Sequence, residues 1–155
     1  MGAKPGHIQV PAMDPTTPAN FGGVSLGAMP GGERVPLITL DSLDLPACHV
    51  LKADVEGMEL EVVSGAHETI DRYRPIMYLE NDREERSREL LERIMGLGYA
   101  VYWHFPQLFN PSNFRGETVD IWGNIISINV LCLPIECTLD VSGFRRVVSA
   151  TEHWR

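Results

Sequence analysis

Val50-Leu51-Lys52-Ala53-Asp54-Val55-Glu56-Gly57-Met58-Glu59 is an apolar run that ends in acids and a glycine, with a helical pattern following at once. Residues 49–53 are nearly all apolar apart from Lys52, as in a strand covered on both faces. From Met58 to Tyr73 the period changes, and Leu60, Val63, His67 and Ile70 recur at helical spacing, with Val62 and Ala66 widening the stripe. Glu59 and Glu61 in the first turn and Arg72 and Arg74 at the end suit the helix dipole. Such a strand-to-helix corner lies at the carboxyl edge of an open α/β sheet, where ligands bind. Asp54 and Glu56 sit in it, and burying their charges bare is costly, so the corner is a candidate site.

The pattern repeats downstream. Pro75 stops the helix, Ile76–Leu79 reads as a second strand, and this too ends in polar groups, Glu80-Asn81-Asp82. A helix over about 84–97 buries Leu90, Leu91, Ile94 and Met95, and its Arg and Glu residues read as a solvated face. Tyr99–Phe105 is the next strand, Pro106–Trp122 a loop rich in Pro, Asn and aromatics, and Ile125–Leu133 a long strand. Upstream, residues 1–34 are loop-rich, with short extended pieces at His7–Val10 and Gly23–Leu26. Val35–Leu40 reads as a strand, with Asp41-Ser42 placed to cap a short helical turn. Three segments result: 1–34, an α/β unit over 35–137, and a tail over 138–155. Two parallel crossovers and a terminal hairpin predict a mostly parallel sheet with an antiparallel edge.

At 155 residues the chain is sized for one domain, and its 44% hydrophobic and 22% charged content is that of a globular protein. A formal charge of -8 without a basic cluster opposes nucleic acid as a partner. No apolar run approaches the roughly 20 residues that cross a bilayer, so no membrane partner is expected. Cys48, Cys132 and Cys137 lack metal-site spacing and read as reduced thiols of a cytoplasmic protein.

The segments Ile38-Thr39-Leu40-Asp41, Lys52-Ala53-Asp54-Val55-Glu56-Gly57-Met58-Glu59, Ser64-Gly65-Ala66 and Arg74-Pro75 to Glu80, taken as one ordered set, resemble the FkbM family of S-adenosylmethionine-dependent methyltransferases. The resemblance implies a Rossmann-like class I methyltransferase sheet in which Asp54 and Glu56 end the fourth strand and Glu80 the fifth, and the last two strands form the hairpin. It also implies O-methylation of a small-molecule acceptor, a sugar or natural-product hydroxyl. The glycine-rich cofactor loop and the strands that carry it are not recognisable. Gly22-Gly23 and Gly31-Gly32 fail the strand-before, helix-after test and read as turns. The chain thus looks like the C-terminal part of such an enzyme, with N-terminal strands missing. On that reading the strand at 50–53 is laid bare along one edge, and the chain is expected to form a homodimer through this edge, to rearrange, or to need a missing half.

Methyl transfer needs donor and acceptor aligned, and an alcohol benefits from a base or a metal ion. Asp54, Glu56 and His104 are the candidate catalytic groups, Asp54 and Gly57 the candidate cofactor contacts, and Glu80, Asn81 and Trp103 the candidate substrate contacts. A divalent cation held by Asp54, Glu80 and Asn81 is the alternative means of lowering the hydroxyl's pKa. The plainer readings are that Asp54 and Glu56 accept bonds from the free N–H groups of the following helix, that Lys52 partners a nearby acid, and that the Trp103 cluster is core. The competing function is a non-catalytic half-fold serving as a binding or assembly module. A weaker third is a metal-dependent hydrolase.

Overall fold

The computed structural model describes residues 1–154 apart from 19, 21, 25 and 27–31. Strands β1 (Gly6–Val10) and β2 (Glu33–Leu37) form an antiparallel pair of their own. A single 3₁₀ turn at Asp41–Leu43 leads to β3 (Val50–Ala53). Then come α1 (Glu59–Ser64), α2 (His67–Tyr73), β4 (Ile76–Glu80), α3 (Glu84–Gly96), β5 (Tyr99–His104), β6 (Asn129–Pro134) and β7 (Arg145–Arg146). The extended piece expected at 23–26 is not a strand at its described positions, and Gly31 of the second glycine pair lies outside the described residues.

The second sheet has the order β3-β4-β6-β5-β7. Only β3 and β4 pair in parallel, whereas β4–β6, β6–β5 and β5–β7 are antiparallel. The expectation of a mostly parallel sheet is corrected accordingly. β3, β4 and β5 do share one direction, but β6 turns back and inserts between β4 and β5, replacing a parallel contact by two antiparallel ones. The long strand expected at 125–133 shortens to 129–134, because residues before it belong to an arm held by the Gln107–Ile126 bridge. The tail contributes β7 and the buried Val147.

The pleat divides the sheet. Leu51, Ala53, Met77, Leu79, Val101, Trp103, Val130 and Cys132 point to one face, where Val62, Val63, Ala66, Ile70, Leu90, Leu91 and Ile94 cover them. Burying each large apolar side chain contributes about 1.5–3 kcal/mol. Lys52, Tyr78, Glu80, Leu131 and Tyr102 face the other way and stay partly exposed. Val50, on the outermost strand, is 64% exposed.

The helix expected over 58–73 is two helices, broken at Gly65. A Cβ there would lie 2.1 Å from the Gly2 carbonyl oxygen and 3.2 Å from the Thr39 Cβ. The glycine is therefore a seat for the N-terminal chain, whose backbone is tied in by Gly2 N–H to Ile38 O (2.9 Å) and Asp41 N–H to Gly65 O (3.0 Å). Asp41 then caps α2 across the fold, accepting from the backbone N–H groups of Glu68 (3.0 Å) and Thr69 (2.9 Å) and from the Thr69 hydroxyl (2.7 Å). Partial burial pushes its pKa up, but these bonds outweigh that and hold the carboxyl below its ordinary value. At the other end of α2, Arg74 takes φ +48° and donates to the carbonyls of Leu97 and Gly98, closing the end of α3.

Candidate active site

The carboxyl ends of β3 and β4 lie side by side because their register pairs Ala53 with Leu79. The next residues bring three acids together: one carboxylate oxygen each from Asp54, Glu56 and Glu80 lie within 4.8 Å of one another. Asp54 is held by Lys52 at 3.0 Å, so the strand lysine does partner a nearby acid. Glu56 is held by Arg83 at 2.7 Å, and the same guanidinium binds Asp82.

The corner keeps its shape through two consecutive left-handed residues, Glu56 (φ +55°) and Gly57 (φ +94°). Their strain is offset by Glu59, a carboxylate only 5% exposed, whose Oε1 accepts from Val55 N–H (2.9 Å) and Gly57 N–H (3.4 Å). Neither Asp54 nor Glu56 caps α1, which has no side-chain cap; Glu59 binds the corner's own N–H groups instead, and both acids face Glu80. Gly57 is explained by its positive φ, with its Cβ position in ordinary contact distance of Arg83.

Glu80 is the electrostatically stressed member. Its Oε2 is enclosed with no hydrogen-bond partner. Burial first, and then the negative charges of Asp82, Asp54, Glu56 and Glu59, push its pKa up to about 7. Beside Glu80 opens a hollow of about 300 Å³ that Asp82, Leu108 and Ile126–Ile128 also line.

The other expected residues are placed differently. His104 lies in the same cross-strand row as Glu80, with Asn129 between them, which puts it about 10 Å away by strand spacing. Its Nδ1 is 2.8 Å from the Tyr78 hydroxyl and its ring meets Phe144. Trp103, one residue before the end of β5, is turned by the pleat into the core: it is 2% exposed, stacked on Phe105 and edge-on to Trp154. It is not positioned to meet an acceptor. Asn81 is 3% exposed, continues the pairing through its N–H to Ile128 O (2.8 Å), and leaves its Nδ2 unpartnered. Alternation assigns it to the helix side, opposite Glu80, and Glu56 takes the third place among the acids.

Three contributors were not anticipated. Tyr78 has its pKa raised by burial and then by Asp54, and it was legible only by counting alternate positions along 76–80. Arg83 read as one of many charges on a solvated helix, and Glu59 as a dipole residue. Nothing in local sequence distinguishes their tertiary bonds.

A hard cation with oxygen ligands fits the Asp54–Glu56–Glu80 set by donor chemistry, although Lys52 and Arg83 already neutralise two of the three. Among the described residues no turn with two or more glycines joins a strand to a helix; the β3–α1 corner has Gly57 alone, set among acids, so no residue is assigned to the nucleotide end. No helix is long and apolar enough to cross a membrane among the described residues.

No curated protein and no solved structure matches the chain. A family model does: that of the Methyltransferase FkbM domain matches residues 13–101, more than half of the sequence, spanning the Asp41 cap, the Gly65 seat, the Asp54–Glu59 corner and Glu80. With those four features inside the matched span, the chain belongs to the FkbM methyltransferase family.

Proposed function

We propose that the protein transfers a methyl group from S-adenosylmethionine to a hydroxyl oxygen of a small-molecule acceptor, a sugar or natural product, at the Asp54–Glu56–Glu80 lip. The observation that carries this is the convergence of these carboxylates at the ends of two parallel strands, with Glu80 raised to about 7. The same reading takes the sheet as Rossmann-like, supported by three strands of one direction with β6 inserted backwards beside the last.

When bound, the cofactor supplies an electrophilic methyl on a positively charged sulfur. Glu80, ionised near neutral pH, accepts the acceptor hydroxyl's proton, and a pKa of about 7 suits a base working there. Asp54 and Glu56 are acids placed where the positive donor must sit, and Lys52 and Arg83 hold the two carboxylates in position. The alternative activation, a divalent cation on Asp54, Glu56 and Glu80, would lower the pKa of a hydroxyl bound to it.

The test is calorimetric titration with S-adenosylmethionine, followed by methyl-label transfer to a panel of hydroxylated acceptors. Donor binding with transfer abolished in Glu80→Gln is the expected result, and full transfer by that variant would remove Glu80 from the role. The competing reading, a binding or assembly module, is favoured by the lack of a strand-to-helix turn with two or more glycines among the described residues. Absence of donor binding would support that reading, and micromolar donor binding would end it.

A further inference from the structure

The arm that joins β5 to β6 extends the hairpin beyond the sheet. Gln107 bridges Ile126, Leu108 N–H donates to Ile125 O (3.0 Å), and Ser127 N–H donates to Pro106 O (2.9 Å). Its outer part is organised by side chains. Asn113 bonds both the N–H and the carbonyl of Glu117 and the Asn110 carbonyl, while Asp120 accepts from the N–H groups of Trp122, Gly123 and Asn124. This is a preorganised loop, yet it leaves Leu108, Val119, Ile121 and Trp122 between 47% and 79% exposed. Apolar groups held fixed and open to water in one place mark a recognition surface.

These residues line a second hollow of about 330 Å³, and Leu108 lines both this one and the hollow beside Glu80. The two hollows adjoin at Leu108 and together make a trough with unlike ends: Glu80 and Asp82 at the sheet, and an apolar wall of Val119, Ile121 and Trp122 at the arm. Each hollow falls in the size range of small-molecule sites. Among the described residues, the charged groups lining the trough are Glu80, Asp82 and Glu117, with no Lys, Arg or His.

We propose that this trough binds the acceptor, and that the acceptor is an amphipathic molecule without negative charge, its hydroxylated head at Glu80 and its apolar body across Leu108 against Trp122. The charge pattern selects this class. A phosphate or carboxylate group would meet Glu80 at one end and Glu117 at the other with no cation lining the trough, Asp82 being already paired with Arg83, whereas hydroxyl groups can donate to Glu80 and Asp82. The apolar wall requires an apolar surface opposite it. This inference rests on the methyl-transfer reading for the identity of the reacting hydroxyl, but the binding itself is tested without the donor.

The probe is octyl glucoside below its micelle concentration, followed by tryptophan fluorescence, with octanoate as the anionic counterpart of the same tail. Octyl glucoside is expected to give a saturable shift that vanishes in Trp122→Phe, since Trp103 is in the core and Trp154 packs against it, away from the trough lining. Octanoate is expected to bind at least about tenfold more weakly, about 1.4 kcal/mol. Leu108→Asp should weaken the glucoside by about tenfold, Leu108→Ala by less, and Glu80→Gln with Asp82→Asn should close most of the gap between the two probes. Equal binding of octanoate, indifference to both Leu108 variants, or a response only to neutral phosphatidylcholine vesicles would overturn the proposal. Loss of donor binding in calorimetry with glucoside binding intact would instead fault the methyl-transfer reading.

Discussion

Met77 and Leu79 alternate with Tyr78 and Glu80 on one strand, and the two pairs live in different media. Met77 and Leu79 are fully buried beneath the helices, while Tyr78 and Glu80 keep partial access to water on the opposite face. The helix-side pair contributes to stability and carries no charge. The open-side pair carries the groups with raised pKa values and contributes little packing. One five-residue strand thus separates packing from charge by the direction of successive side chains.

The largest effect that would sharpen this contrast is kinetic. If methyl transfer is established, Glu80→Gln should lower kcat by about 10²–10⁴, the usual contribution of a general base, with melting temperature held or raised. On the other face, Leu79→Ala should cost about 2–5 kcal/mol in denaturant titration, because its cavity lies under three helices. Asp41→Ala should cost about 1–2 kcal/mol, the range of a lost helix cap, and lower the melting temperature by a few degrees.

A smaller effect comes from pH. The raised pKa of Glu80 means the folded state holds a proton that the unfolded chain has released between the ordinary carboxylate value of 4.5 and about 7. Stability should therefore fall as pH rises through that window. Thermal melts in Glu80→Gln should lose this component, and an unchanged profile would break the assignment. Smallest of all, Lys52→Val should change stability by under about 0.5 kcal/mol, since the Lys52–Asp54 pair is solvent-exposed. It removes a charge that guards the outer edge of β3, so light scattering should show more self-association than in the parent chain.

Much of this contrast was legible in the sequence. The β3 and β4 strands, the α3 helix and the acid ends of both strands follow from local periodicity and charge, and Asp54, Glu56 and Glu80 do converge. What could not be read depended on distant residues. Gly65 breaks a helix whose periodicity is otherwise continuous, because Gly2 packs on it. Trp103 looks like a pocket aromatic beside His104, and only the pleat shows it pointing inward. The direction of β6 decides the sheet's hydrogen-bond pattern, and a strand's hydrophobic pattern is the same in either direction.

The Asp41 cap joins a helix to a residue 27 positions earlier. A seven-residue helix does not persist alone in water, because nucleating the first turn costs more than so few backbone bonds return. α2 must therefore await the arrival of the chain around Asp41, which in turn needs Gly65 as its landing place. The two segments should order together in a late, cooperative step, and their amides should exchange with deuterium as a single group.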